Sequence, residues 1–271
     1  ARGDSRPRDP VVYLAASGLP RAASQGVRVL VSASDFSVGR GPQAGERVKM
    51  LDKALQSYVS SGAGNLFVFS AGNDTTRVPV SDFANGGVPH VTAVQTAVAR
   101  IVARSDADRN RVFVVAGTDR GNVLRDLSNF FVGGTDIAAP AREVLTLAHT
   151  SYDADGVQVL GGTSIAAPFV AGVAGLLWAM DPSLPADSVK DYILRGAQAS
   201  RLNSTTGQMV DPQPVQGAPG TVYQLDAYGA LTLLSSERAG TPICGFPVSV
   251  SADQSAVVLE RPGGPVTLTV P

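Results

Sequence analysis

At 271 residues the chain is long enough to bury a sizeable core, and its composition, 44% hydrophobic with 29 glycines and only 6% aromatic, suits helices packed tightly on a parallel sheet. The 22 basic and 23 acidic residues leave a net charge of −1, which gives no reason to expect a nucleic-acid partner, and no stretch reads as apolar over the length needed to cross a bilayer. The single cysteine, Cys244, excludes a disulfide within the chain and reads as a small apolar strand residue, since no histidine motif accompanies it as it would a thiol nucleophile.

Residues 1–26 are rich in Arg, Pro, Asp and Gly and read as a loose leading segment with one short strand at Val11 to Ala15. The Arg2-Gly3-Asp4 tripeptide is what an exposed tail of this composition produces by chance. Val27 to Val31 predicts a strand. Over residues 44 to 61 the spacing of Val48, Leu51, Leu55, Tyr58 and Val59 puts them on one helical face, ended by Gly62. Leu66-Phe67-Val68-Phe69, four apolar residues in a row bounded by turn residues, predicts a central parallel strand that completes a right-handed βαβ unit. Ligand-binding groups in such sheets lie just beyond the carboxyl ends of strands, and Ser70-Ala71-Gly72-Asn73 occupies that position.

Val91, Val94, Val98, Ile101 and Val102 predict a further helix over about 89 to 104. Strands are expected at 111 to 116, 136 to 138, 143 to 147 and 157 to 160. Of the two histidines, His90 reads as a first-turn residue of the 89–104 helix and His149 as an exposed residue at a strand end.

Gly161-Gly162-Thr163-Ser164-Ile165-Ala166-Ala167-Pro168-Phe169-Val170-Ala171-Gly172 sets a serine at a glycine-flanked turn where an Ala-rich helix begins. A backbone N–H in the first turn of a helix has no partner within the helix, and the helix dipole favours negative charge there. The turn can therefore hold a developing oxyanion. Pro168 is expected inside that first turn, and the helix, apolar nearly all round to Met180, reads as buried. A shorter helix from Ala186 to Arg195 follows Pro182 and Pro185, residues 200 to 220 form a polar loop, and strands near Val248 to Val250, Ala256 to Glu260 and Val266 to Val270 read as a small β appendage.

The twelve residues from Gly161 closely resemble the serine motif of the subtilisin-like serine peptidases, which runs Gly-Thr-Ser-Met-Ala-Ser/Thr-Pro-His-Val-Ala-Gly; Ser164 falls on the nucleophile. Ile165, Ala167 and Phe169 depart from the usual residues at positions that carry no catalysis. Phe69-Ser70-Ala71-Gly72-Asn73 is similar to the context in which that family carries its oxyanion asparagine. Arg111 to Asp119, Thr135 to Pro140 and Tyr223 to Leu231 resemble further family segments, so the resemblance spans about residues 27 to 235.

The resemblance implies an α/β fold of three layers with a mainly parallel central sheet and a buried nucleophile helix, incomplete at the N-terminus, and a β-rich C-terminal extension over 236–271. It implies a serine endopeptidase acting through an acyl-enzyme on Ser164, with Asn73 as oxyanion donor and a protein or peptide substrate held by Ser70, Ala71, Gly72, Ser34, Gly162 and Thr163. The family's Ser-Leu-Gly edge is not preserved at Ala33-Ser34-Asp35, where Asp35, facing the groove, would favour basic side chains. No cofactor is required. Structural Ca2+ is a family property, although no acidic loop has convincing ligand spacing. Extracellular or periplasmic location is likewise implied.

A serine hydroxyl needs a base within hydrogen-bond reach, and that base needs an orienting carboxylate. The family's Asp-Thr/Ser-Gly turn and His-Gly-Thr-His helix start are both missing here, and neither His90 nor His149 occupies the family's position. Asp4 and Asp9 have too little chain around them, and Asp35 falls on the substrate edge. The simplest expectation is that the histidine and aspartate lie in an upstream part of the same polypeptide, and that this chain alone is nearly inactive, because loss of triad members leaves only about 10³ to 10⁴-fold catalysis over water. The alternative is a catalytically degenerate domain that binds peptides or serves as a structural module. A nucleotide-binding α/β domain is disfavoured, since no glycine-rich phosphate loop follows either early strand.

Overall fold

Four parallel strands carry the molecule's organisation. The computed structural model describes residues 14–33, 44–60, 64–85, 93–147, 156–199, 201–202, 209–212, 214–239, 248–250, 256–259 and 266–269. In chain order, a π-helical turn Leu14–Gly18 leads into α1 (Leu19–Ser24), followed by β1 (Val29–Ser32), α2 (Ala44–Ser60), β2 (Leu66–Ser70), β3 (Arg77–Pro79), α3 (Val80–Asn85), α4 (Ala93–Arg104), α5 (Asp106–Arg109) and β4 (Val112–Asp119). Then come β5 (Val123–Leu124), β6 (Phe130–Val132), β7 (Ile137–Pro140), β8 (Val144–Leu147), β9 (Val157–Leu160), α6 (Thr163–Met180) and α7 (Ala186–Gln198). The last elements are β10 (Arg201–Leu202), β11 (Met209–Val210), α8 (Ala227–Ala239) and the strands β12 (Val248–Val250), β13 (Ala256–Leu259) and β14 (Val266–Thr269).

The parallel strands lie in the order β1, β2, β4, β7, with Val29 opposite Leu66, Phe67 opposite Val112, and Val115 opposite Ile137. β5 pairs antiparallel with the end of β4. Because successive side chains on a strand point to opposite faces, the continuous apolar run of β2 divides into two cores. Phe67 and Phe69, with Val112 and Val114 of β4, pack under α1, α2 and α4, where Leu51, Leu55, Val98 and Ile101 are buried. Leu66 and Val68, with Phe113 and Val115, pack under α6, α7 and α8, where Ala166, Val170, Ile193 and Leu234 are buried. The result is the three-layer architecture expected. Gly196 and Gly229 allow the closest crossing in the second layer: a Cβ on Gly196 would lie 2.5 Å from the Ala230 Cα.

Outside the main sheet, β3 pairs parallel with β6, β8 and β9 form an antiparallel hairpin, and β10 pairs with β11 inside the segment expected to be loop. β12, β13 and β14 form an antiparallel sheet where a β appendage was expected.

Three expectations need correction. Leu14 and Ala15, predicted as the end of a strand from Val11, are helical; Pro20 occupies the first turn of α1, where its fixed φ favours the helix, and Leu19 and Ala22 bury themselves at helical spacing. Residues 11 to 13 lie outside the described residues. Next, α6 starts at Thr163, so Pro168 is its sixth residue and stands inside the helix, where it withholds the N–H that would bond the Ser164 carbonyl. Finally, α6 is long and apolar enough to span a membrane by length and composition, contrary to the sequence reading. It is instead embedded against the sheet through Ala166, Ala167, Val170, Ala174 and Leu177, while Phe169, Leu176 and Met180 on the other side are 42%, 51% and 41% exposed.

Candidate active site

The carboxyl end of β2 and the amino end of α6 meet at one rim of the sheet. β2 is buried throughout and delivers Ser70, Ala71 and Gly72 to that rim, with Ser70 3% exposed and Ala71 fully buried. Gly72 then turns the chain at φ +100°, a conformation that favours glycine, and Asn73 follows. From the other side, Gly162 at φ +123° starts α6. Close approach is required between the two: a Cβ on Gly162 would sit 3.3 Å from both terminal atoms of the Asn73 carboxamide, and one on Gly117 of β4 would sit 2.5 Å from the Ala141 Cβ.

Three hydrogen bonds join the segments. Asn73 Oδ1 accepts from the Thr163 N–H at 2.9 Å and from the Thr163 hydroxyl at 3.3 Å, while Thr163 Oγ1 accepts from the Gly72 N–H at 3.0 Å. One of the helix's unpartnered first-turn donors is thereby satisfied by a side chain 90 residues earlier. With Oδ1 so engaged, the donor end of the carboxamide is the part left for other work. The residue after Thr163 is Ser164, half-buried in the same first turn; its Oγ donates to the Ala33 carbonyl, just past β1, at 2.6 Å.

The backbone groups around Asn73 are committed one by one. The Ala71 N–H bonds to the Val115 carbonyl, the Ala71 carbonyl accepts from Gln95 Nε2 at 3.0 Å, and the Gly72 carbonyl accepts from the Asn129 N–H at 2.9 Å. Asn129 Oδ1 accepts from the N–H groups of Asp74 at 2.9 Å and Thr76 at 2.8 Å. Ala71 and Gly72 therefore present a wall, with few backbone groups free to pair with an added strand. On the serine side, the Ala141 carbonyl accepts from the Gly162 N–H at 2.7 Å and from Arg125 Nη1, which fixes the turn before α6. Gln95, Asn129 and Arg125 were not singled out from sequence. They are isolated polar residues far from the motifs; the burial of Gln95 and Asn129, and the Ala141 carbonyl that Arg125 holds, mark them.

Ser34, Asp35, His90, His149, Asp4, Asp9 and Cys244 lie outside the described residues. Among the described residues β1 pairs with β2 alone, leaving its other side unpaired, and no three His, Cys, Asp or Glu side chains gather into a metal-sized group. The Ca2+ that the resemblance implies finds no ligand set among them. The rim thus brings the Asn73 carboxamide onto Thr163, one residue from the Ser164 hydroxyl in the first turn of α6.

Known proteins are similar to this chain in sequence and fold. The model of the subtilase family matches residues 12–217. The chain is 29% identical over 140 residues to the cell wall-associated protease of Bacillus subtilis (strain 168), covering 49% of this chain and 15% of that protein. It is 32% identical over 163 residues to a subtilisin-like protease of Coccidioides posadasii (strain C735), covering 58% of this chain and 40% of that protein. It thus spans well under half the length of these two relatives. Among solved structures, the patellamide maturation protease PatA is similar over 88% of this chain and 72% of its own, with a TM-score of 0.51 at 22% identity, a likeness of fold. A match of the family model over three quarters of the sequence settles the kinship: the chain belongs to the subtilase family.

Proposed function

We propose that the protein containing this chain is a serine endopeptidase and that the chain supplies its nucleophile and oxyanion site. Ser164 Oγ attacks the scissile carbonyl of a bound peptide; the Asn73 carboxamide and the Ser164 N–H stabilise the tetrahedral oxyanion; the amine product leaves; and water hydrolyses the acyl-enzyme on Ser164. The observation that carries the reading is the bond from the Thr163 N–H to Asn73 Oδ1, which puts the carboxamide one residue from Ser164.

The general base and its orienting carboxylate come, in this proposal, from polypeptide preceding Ala1. Two features support such a partner. The Ser164 proton is held by a backbone carbonyl rather than by a base, and α6 carries exposed Phe169, Leu176 and Met180, an apolar side that further polypeptide would cover. Ser34, Ser70, Ala71, Gly72, Gly162 and Thr163 would border the substrate, the buried Ala71 and Gly72 through van der Waals contact. Work outside the cytoplasm, at the cell surface or in the medium, suits a relative whose name places it at the cell wall.

A fluorophosphonate probe applied to the full-length protein tests this. Covalent labelling that disappears in Ser164→Ala is the expected result. Folded full-length protein that is never labelled would instead establish a peptide-binding module without catalysis.

A further inference from the structure

Gly72 is caged between two carboxamides. A Cβ at this position would lie 2.5 Å from Asn129 Nδ2 and closer still to Gln95 Nε2. Gln95 is fully buried and Asn129 is 1% exposed. They come from separate parts of the chain, Gln95 from the first turn of α4 and Asn129 from the loop before β6. Between them they grip the turn on both sides of Asn73: Gln95 through the Ala71 carbonyl, and Asn129 through the Gly72 carbonyl and the N–H groups of Asp74 and Thr76. Asn129 Nδ2 also donates to Asp74 Oδ2 at 3.3 Å, and its own loop is held by Ser128, whose Oγ accepts from the Gly117 N–H at 3.0 Å and donates to the Asn129 carbonyl at 3.0 Å.

We infer that Asn129 and Gln95 are positioning residues for the reaction, setting the direction in which Asn73 presents its donor. The inference rests on the peptidase reading above. An oxyanion donor works only when aimed at the place where charge develops, and its alignment must exist before the reaction begins. Asn73 follows a glycine at positive φ and precedes Thr75, itself at φ +58°, so the turn's own conformational preferences do not hold it. Asn129, with Oδ1 bridging two N–H groups and its own N–H on a third group, replaces a strand's ladder with a single side chain. Gln95 Nε2 holds the Ala71 carbonyl, and with it the Ala71–Gly72 peptide.

The test is a pair of double-mutant cycles on the full-length protein with a peptide substrate, reading kcat and KM separately. Asn129→Ala is expected to lower kcat up to about 100-fold with KM little changed, the scale of a displacement near 1 Å in the reacting geometry. Asn129→Asp keeps the acceptor for the Asp74 and Thr76 N–H groups but sets a carboxylate against Asp74 Oδ2, so it should recover most of the loss only when combined with Asp74→Asn, which restores a donor between the two side chains. Introduced into Asn73→Ala, Asn129→Ala should have no further effect on kcat, because the group it aims is gone. Gln95→Met forms the second cycle with the same expectation, and decides the matter if circular dichroism shows Asn129→Ala unfolded. Asn73→Ala that lowers kcat while both cycles multiply overturns the positioning role and leaves the peptidase reading standing. Asn73→Ala that leaves kcat unchanged removes the oxyanion role of Asn73, and the positioning role with it.

Discussion

Thr163 and Asn73 hold one another through both ends of the threonine: its N–H and its hydroxyl share Asn73 Oδ1 as acceptor, and the same hydroxyl oxygen receives the Gly72 N–H. A single residue thus ties the carboxyl end of β2 to the start of α6.

Removing the hydroxyl should therefore weaken the whole rim. Thr163 is 1% exposed, and Thr163→Val leaves the buried Gly72 N–H without its acceptor, a loss of about 1–3 kcal/mol. Thr163→Ser keeps the oxygen and should lose less than Thr163→Val. Urea unfolding of both variants checks the order; equal losses would show that the acceptor for Gly72 counts for no more than the methyl group lost in Thr163→Ser.

Asn73→Ala in the full-length protein should lower kcat by about 10² to 10³, the range established in this family for loss of one oxyanion donor. KM should stay within a few-fold, because the interaction forms chiefly in the transition state. Steady-state kinetics separates the two, and a change confined to KM would make Asn73 a ground-state contact.

Far from the rim, Lys190 of α7 is buried with its ammonium on Asp136 Oδ1 at 2.7 Å and on the carbonyls of Arg109 at 2.9 Å and Val112 at 2.5 Å. Burial lowers the lysine's pKa, and the Asp136 charge opposes that shift. Lys190→Met strands the carboxylate and should destabilise by about 3–5 kcal/mol. The exposed Lys49–Glu46 pair is a similar contact, at 3.0 Å, yet Lys49→Met should change stability by no more than about 0.5 kcal/mol. Chemical denaturation of the two variants side by side measures the contrast.

Acid stability should depend on Asp181, which closes the turn after α6. Hydrogen bonds from the Ser183 hydroxyl at 2.6 Å and N–H at 2.9 Å hold its carboxyl below the usual range, against desolvation, with help from Arg238. A carboxyl whose folded pKa is depressed binds fewer protons folded than unfolded. Its contribution is therefore complete above the unfolded value, about 4, and is lost as pH falls through the folded one. Asp181→Asn should be less stable at pH 7 and show a shallower decline between pH 5 and 2. Parallel slopes for the two proteins would place the acid sensitivity elsewhere.

Most of this architecture is written in local patterns. Leu51, Leu55, Tyr58 and Val59 recur at helical spacing, and the unbroken β2 run can only be a strand covered on both faces, so α2, β2 and their order follow from periodicity. Glycines did the same for the rim, since Gly72 and Gly162 take conformations that favour their residue type. What periodicity does not carry is a grip made by isolated side chains. Asn129 belongs to no repeat, and Gln95 sits among apolar neighbours on α4 as one more helical residue. β3 and β6, three residues each, are too short to show an alternation, and they exist because each pairs with the other. Pro168 signals a helix beginning and was expected in the first turn, whereas α6 starts at Thr163 because Asn73, distant in sequence, supplies the cap.

The hairpin of β8 and β9 raises Leu145, Leu147 and Val159 to exposures of 67%, 85% and 62%, and Leu145 lies by the exposed Phe169. With a net charge of only −1, nothing in the long-range field keeps two such surfaces apart. In dilute buffer near neutral pH the isolated polypeptide should behave as a sticky colloid whose sedimentation rate rises with concentration, and mild detergent should disperse it.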